Sequence, residues 1–302
     1  MTEPEDGFRA GFACFVGRPN AGKSTLTNAL VGTKVAIMSD RPQTTRHAVR
    51  GIVNRPDAQL VIVDTPGFHK PRTLLGERLN DVVLTTVAEV DVIGLCIPAD
   101  EKVGPGDRFI TAQLAEVARR TPVVAVVTKT DLVPRDVVGA RLVEVSQLGE
   151  WAEVVPVSAK DGFQVGLLAD LLVARLPQGR ALYPDGELTD EPERVLVAEL
   201  IREAALEGVR DELPHSIAVV VEEMRAGDGR DDLLVVEAYL FVERDSQRGI
   251  VIGTGGSRLR EVGAAARRQI EALLGSKVYL DLRVKVAKDW QRDPKQLRRL
   301  GF

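Results

Sequence analysis

The sequence predicts a three-layer α/β domain on a mostly parallel sheet, followed by a smaller α+β domain. Three observations predict it. Over the first 176 residues, short β-branched runs alternate with helix-length amphipathic stretches. The stretch LPQGRALYPDGELTDEP, residues 176–192, then breaks the rhythm with three prolines and several acids. Beyond it the order changes to one helix, two long strands, a glycine-rich turn, a second helix and a last strand.

The strands expected in the first part are FACFV (12–16), RGIVN (50–54), QLVIVD (59–64), VDVIGLCI (90–97), VVAVVT (123–128) and VVPVS (154–158). Several are apolar nearly throughout, as strands covered on both faces should be. Helices are expected over 23–31, 77–88, 107–119 and 163–175. The second part predicts a helix over 193–208, strands over 215–224 and 233–244, and a helix over 257–274 capped by Gly275. The last strand, 277–286, puts Val278, Leu280, Leu282, Val284 and Val286 on one face and Lys277, Tyr279, Arg283 and Lys285 on the other. The domains expected are therefore 1–176 and 193–302, with 177–192 as a linker.

A chain of 302 residues has room for two domains, and 44% hydrophobic with 28% charged residues excludes a disordered or fibrous protein. No apolar run approaches the ~18–20 residues needed to span a bilayer. The start, MTEPEDGFRAG, is acidic and lacks an apolar core, so no secretory signal is expected. The two cysteines, Cys14 and Cys96, sit in apolar runs, which points to a reducing, cytoplasmic setting. From Arg244 to Phe302, 14 Lys+Arg face 6 Asp+Glu, a surplus of eight cations. Against the overall −4 this leaves −12 on the first 243 residues. An acidic body carrying a basic end suggests a polyanionic partner for that end.

Residues 17–24, Gly-Arg-Pro-Asn-Ala-Gly-Lys-Ser, fit GxxxxGK[ST] between a strand and a helix. Glycines there let successive N–H groups turn inward, and the helix N-terminus adds about half a positive charge. Gly17, Asn20, Ala21, Gly22, Lys23, Ser24 and Thr25 are expected to hold phosphates. Lys23 would reach the β- and γ-phosphates, and the Ser24 hydroxyl would ligate Mg²⁺. Asp64-Thr65-Pro66-Gly67 closes another apolar strand; Asp64 can hold Mg²⁺ and the Gly67 N–H can sense the γ-phosphate. Between them runs the polar segment Arg41-Pro42-Gln43-Thr44-Thr45-Arg46, whose threonines can offer a hydroxyl to the metal. Thr45 is favoured over Thr44, and the choice stays open. Lys23, Thr45 and Gly67 are the groups expected to act on the reacting phosphate.

Base choice rests on Thr128-Lys129-Thr130-Asp131. An ionised carboxylate only accepts hydrogen bonds. Guanine offers it a ring N–H and an exocyclic amine, each bond worth about 1.5–3 kcal/mol, and adenine would leave the carboxylate unpaired. The Lys129 stem can lie over the base, while Ser158-Ala159-Lys160 can present a backbone N–H to the guanine oxygen. This ordered set resembles the Ras-like GTPases of the translation-factor-related class. Two positions depart from that pattern. Thr128 stands where the family has asparagine, so a hydroxyl must do part of an amide's work. Phe68 stands where Ras-like proteins carry the glutamine that orients the attacking water, which predicts slow intrinsic hydrolysis, below ~10 s⁻¹ without a partner.

Residues 253–256 form GxxG, a spacing that 27 glycines produce about twice by chance, so context carries the reading. It precedes a helix bearing Arg258, Arg260, Arg267 and Arg268 and then a basic-faced strand with Arg283 and Lys285. Such a loop brings phosphates close to a helix N-terminus while neighbouring apolar side chains meet unstacked bases. The residues expected at RNA are Ile252, Gly253, Thr254, Gly255, Gly256, Arg258, Arg260, Arg267, Arg283 and Lys285. The order helix–strand–strand–GxxG–helix–strand resembles a type II K-homology domain.

Taken together, GRPNAGKST, QTTRH, DTPG, SAKDG, LPHSIAVVVEE, RGIVIGTGGSRLREVG and VKVAKDWQRD resemble the bacterial Era family of GTPases over essentially the whole chain. The resemblance implies an α/β P-loop GTPase domain, GTP/GDP and Mg²⁺ as cofactors, and a K-homology domain that binds 16S ribosomal RNA near its 3′ end during small-subunit maturation. It also implies a cytoplasmic protein with a link to the inner face of the cell membrane. A monomer without a DNA partner is expected. Family members usually carry a lysine inside the GxxG loop; Thr254 replaces it, so one phosphate contact is expected either to be weaker or to come from Arg258. A constitutive RNA-binding assembly factor with a structural or very slow nucleotide site is the alternative.

Overall fold

The computed structural model describes residues 7–39, 41, 44–69, 71, 73–209, 213–227 and 229–302. It divides into two compact units, one holding residues 191–302 and the other nearly all of what precedes them.

The first unit runs β1 (Arg9–Val16), α1 (Lys23–Val31), β2 (Val49–Asn54), β3 (Ala58–Asp64), α2 (Leu74–Glu89), β4 (Val92–Pro98), α3 (Pro105–Val117), β5 (Val123–Thr128), α4 (Arg135–Ser146), β6 (Glu153–Pro156) and α5 (Val165–Val173). Its sheet has the order β2-β3-β1-β4-β5-β6, and only the pairing of β2 with β3 is antiparallel. Every residue of β3 and β4 is buried. Alternate side chains feed two cores. Ala13 and Phe15 join Leu26 of α1 and Leu168 and Leu172 of α5. Cys14 and Val16 join Val83 of α2, Ile110 of α3 and Val145 of α4. Helix α4 escapes the sequence reading because only Arg141 and Val145 on it are buried, too few to mark a 3.6-residue period. The chain leaves β1 with β3 on one side and β4 on the other, the switch point where open α/β sheets bind ligands.

The expected linker is a correction. Residues 177–190 belong to the first unit and lie along its strands. Gln59 on β3 accepts from the amides of Leu182 and Tyr183 through Oε1 and donates Nε2 to the Tyr183 carbonyl. The Ile52 amide of β2 donates to Leu188, and Asp190 accepts from both Arg50 and the Tyr183 hydroxyl. Prolines and glycines there mark the absence of a helix or strand, and side-chain amides hold the segment down.

The second unit contains α6 (Glu193–Leu206), α7 (Leu213–Ser216), β7 (Ala218–Gly227), β8 (Arg230–Val242), α8 (Asp245–Ile252), α9 (Ser257–Leu274), β9 (Lys277–Val286) and α10 (Pro294–Arg299). β8 is central, antiparallel to β7 and parallel to β9. Helices α6 and α9 pack on each other and on β7 and β9. Val197, Ile201 and Ala205 of α6 and Val262, Ala266 and Ile270 of α9 are buried at the spacing of one helix face. After β9, Trp290 is fully buried; its indole N–H donates to the Ser216 carbonyl and its ring stacks on Phe302. No helix among the described residues is long and apolar enough to cross a membrane.

Candidate functional site

The loop between β1 and α1 wraps on itself. Asn20 and Gly22 adopt left-handed backbone, at φ 62° and 88°. A Cβ on Gly17 would come within 2.5 Å of the Cys96 carbonyl, so glycine lets the loop lie on β4. Ala21 is buried and Thr25 half-buried in the first turn of α1. The Lys23 ammonium folds back across the loop to the carbonyls of Gly17 and Arg18, at 3.2 and 3.1 Å. Its burial lowers its pKa, and the carboxylate of Asp64 opposes that shift. Below, burial pushes the Cys96 thiol up to about 12 and keeps it protonated; Cys14 lies in the other core layer.

Three oxygens meet beside Lys23. Ser24 Oγ donates to Asp64 Oδ2 at 2.7 Å and lies 2.9 Å from Thr45 Oγ1, which donates to the same carboxylate oxygen at 3.2 Å. Burial raises the pKa of Asp64, against hydrogen bonds from Ser24 and Thr45 and the charge of Lys23. Its second oxygen, Oδ1, is buried without a hydrogen-bond partner among the described residues. Two hydroxyls and a carboxylate with a spare acceptor are the hard oxygen donors that Mg²⁺ takes. No cluster of three His, Cys, Asp or Glu able to hold a metal occurs among the described residues. Thr45 reaches Ser24 from the loop before β2; Pro42 and Gln43 of that loop lie outside the described residues. Asn28, unnoticed in the sequence, pins the start of the same connection by accepting from the amides of Val35 and Ala36.

The segment after β3 is anchored to β1. Thr65 donates its hydroxyl to the Phe15 carbonyl, and the Phe68 amide donates to Gly17. A Cβ on Gly67 would sit 2.8 Å from Pro19 Cα, which explains the glycine by close approach to the phosphate loop. Phe68 is buried and stacks on Phe109, ring centroids 5.7 Å apart, so its side chain belongs to the core.

The remaining predicted residues gather at the ends of β5 and β6. Thr128 is buried and donates to the Ala21 carbonyl at 2.7 Å. Lys129, at φ 57°, lies 3.5 Å from Asp100. Asp131 is half-buried and accepts from the Ser158 hydroxyl at 2.9 Å, while Ser158 accepts from the Asp161 amide. Ala159 and Lys160 follow in the same turn, Lys160 exposed.

In the second unit Gly253, Gly255 and Gly256 all have positive φ, at 72°, 57° and 76°, joining α8 to α9. A Cβ on Gly253 would lie 2.8 Å from Arg258 Cβ. Thr254 is exposed and Ile252 half-buried. The cations expected at RNA have partners within this unit. Arg258 donates to the carbonyls of Ala205, in the last turn of α6, and of Glu207 just past its end, which gives it a structural task at that helix terminus. Arg260 donates to the Gly255 carbonyl, Arg267 lies 3.9 Å from Glu271, and Arg283 pairs with Asp281. The Lys285 ammonium sits 3.2 Å above the Tyr239 ring. Arg248, absent from the expected set, is exposed on α8 without a side-chain partner among the described residues. Eight residues with a glycine inside offer too little period to announce that helix.

Two family models match the chain, "50S ribosome-binding GTPase" over residues 12–129 and "KH domain" over residues 212–291. The chain is 71% identical over 303 residues to "GTPase Era" of Mycobacterium avium (strain 104), covering 100% of both chains. It is 70% identical to "GTPase Era" of Streptomyces coelicolor, covering 97% of this chain and 95% of that one. Among solved structures it is similar to Era in complex with MgGDPNP and nucleotides 1506–1542 of 16S ribosomal RNA, with a TM-score of 0.93, 38% identity, and 97% and 99% of the two chains covered. The same values hold for a single-residue variant of Aquifex aeolicus Era bound to GDP.AlF4⁻.

Proposed function

The chain belongs to the Era family of GTPases, and on that premise we propose that it is a GTP-hydrolysing switch that binds 16S ribosomal RNA near its 3′ end and assists maturation of the small ribosomal subunit. The first unit binds GTP or GDP with Mg²⁺, and the second, from residue 193 on, binds the RNA through the loop 253–256. The observation that carries the reading is the meeting of Ser24, Thr45 and Asp64 beside Lys23. Thr45 comes from the connection before β2, so a metal and a γ-phosphate at that point would hold that connection to the site.

The division of labour follows from the chemistry. Lys23 and the amides of 20–25 neutralise the β- and γ-phosphates, and Gly67 offers an N–H from the segment tied to β1. Asp131, held by Ser158, accepts from the guanine ring N–H and amine, and Lys129 and 158–160 frame the base. When bound, Mg²⁺ supplies charge neutralisation between the phosphates; Ser24 and Asp64 are the groups placed to hold it, with Thr45 joining them. Phe68 contributes packing and cannot orient water, so hydrolysis by the chain alone is slow. Glycines 253, 255 and 256 let RNA phosphates approach the N-terminus of α9, with Ile252 beside the bases and Arg260, Arg267, Arg283 and Lys285 adding positive charge. A cytoplasmic monomer that touches the inner membrane surface peripherally through its basic end completes the reading. Flotation with vesicles of anionic lipid tests that last element, and its absence there would remove it.

Crosslinking the full chain to total cellular RNA, with and without a non-hydrolysable GTP analogue, tests the whole. Enrichment of the 3′ end of 16S RNA that depends on the analogue is expected. Equal retention in both states would favour a constitutive RNA-binding factor instead.

A further inference from the structure

The second residue of the phosphate loop does something that the phosphate-binding pattern leaves open, since that position is one of its free ones. The Arg18 carbonyl accepts from Lys23 Nζ at 3.1 Å and from the Ala21 amide at 3.2 Å, so its main chain sits under the lysine. Its side chain turns away to α3. There Nε donates to Asp107 Oδ1 at 2.7 Å and Nη1 to Glu101 Oε2 at 2.8 Å. Asp107 is almost fully buried, and its other oxygen accepts from the Gly104 amide that starts α3. A Cβ on Gly106 would lie 2.7 Å from Arg18 Cδ, so that glycine clears the path of the arginine stem. The third nitrogen, Nη2, is buried with no partner among the described residues, so the two carboxylates are the partners that fix the head group.

We propose that Arg18 is a positioning residue for Lys23, the lysine of the phosphate loop. Bolted through Asp107 to the first turn of α3, it holds the carbonyl that steadies the Lys23 ammonium and so preorganises the loop for phosphate. Two neighbouring facts favour this over a plain surface ion pair. The acceptor Asp107 is itself fixed by a backbone amide, and the restrained atom is a direct partner of Lys23 rather than a remote surface group. The inference rests on the first unit binding GTP.

Arg18→Ala and Asp107→Asn test it, the second keeping an acceptor for the Gly104 amide. The readouts are dissociation rates of fluorescent GTP and GDP, KM and kcat separately, and melting of the nucleotide-free chain. Both variants are expected to lose nucleotide affinity roughly tenfold to a hundredfold, with KM rising more than kcat falls. Arg18→Lys, which can still pair with Asp107, should recover part of the affinity, and the double variant should cost no more than the worse single one. Unchanged affinities alongside a lower melting temperature would mean a purely structural bridge and overturn the proposal. Glu101→Gln, on an exposed partner, should have a smaller effect in the same direction, which guards against misfolding of the buried variant. A wild-type chain that bound no guanine nucleotide would instead overturn the function beneath it, and this inference with it.

Discussion

The Thr128 hydroxyl donates to the Ala21 carbonyl at 2.7 Å, joining the end of β5 to the phosphate loop. A threonine thus performs the bracing expected of an amide at this position. Thr128→Val keeps the shape and orphans a buried carbonyl, a loss of about 1–3 kcal/mol. GTP affinity should fall about tenfold, by calorimetry, while preference for GTP over ATP is retained, because Asp131 is untouched.

Asp131 carries that preference. Asp131→Asn replaces an acceptor-only group with one that also donates, so GTP binding should collapse and xanthosine triphosphate should gain. Ser158→Ala removes the hydroxyl that holds the carboxylate at 2.9 Å. It should weaken GTP by less than Asp131→Asn does, with ATP still excluded. Competition assays with the three nucleotides decide both.

Asp64 makes the site sensitive to pH. Its folded pKa is raised by burial above the ordinary 3.8. Between those two values the nucleotide-free fold holds a proton that the unfolded chain does not. The stability this contributes is complete below the ordinary value and lost as pH rises through the raised one. Metal holding needs the carboxylate, so Mg²⁺-dependent GTP affinity should run the other way and fall on acidification through that window. Magnesium titrations over a pH series should show this for wild type and a weaker, flat response for Asp64→Asn.

Phe68 is buried against Phe109. Phe68→Gln therefore does not restore a water-positioning group; it buries an amide and opens space, costing about 3 kcal/mol or more of stability. Melting should drop while single-turnover hydrolysis fails to rise above wild type.

Gly253 has φ +72° and no room for a Cβ beside Arg258. Gly253→Asp should abolish binding to a 16S 3′-end oligonucleotide, measured by fluorescence anisotropy, and leave GTP affinity within about twofold.

Much of this was legible because burial on two faces writes continuous apolar runs, and β3, β4 and β5 were found within a residue or two of their ends. The phosphate loop and Asp131 were readable since their chemistry needs particular residue types at fixed spacing. The partners were not. Whether Arg258 meets a phosphate or caps α6 depends on which carbonyls the fold brings to it. Likewise, nothing local says that Arg18 reaches Asp107, 89 residues away. Helices α4 and α8 stayed hidden for lack of a buried stripe, and the segment 177–190 because hydrogen bonds from Gln59 leave no compositional trace.

That segment sets a limit on how the chain can be divided. A cut after Leu176 would bare the backbone of β2 at Ile52, leave Gln59 Oε1 without the amides of Leu182 and Tyr183, and take Asp190 away from Arg50. An excised nucleotide-binding half ending there would present a sticky rim and tend to clump, whereas one carried on to Asp190 would keep its border sealed.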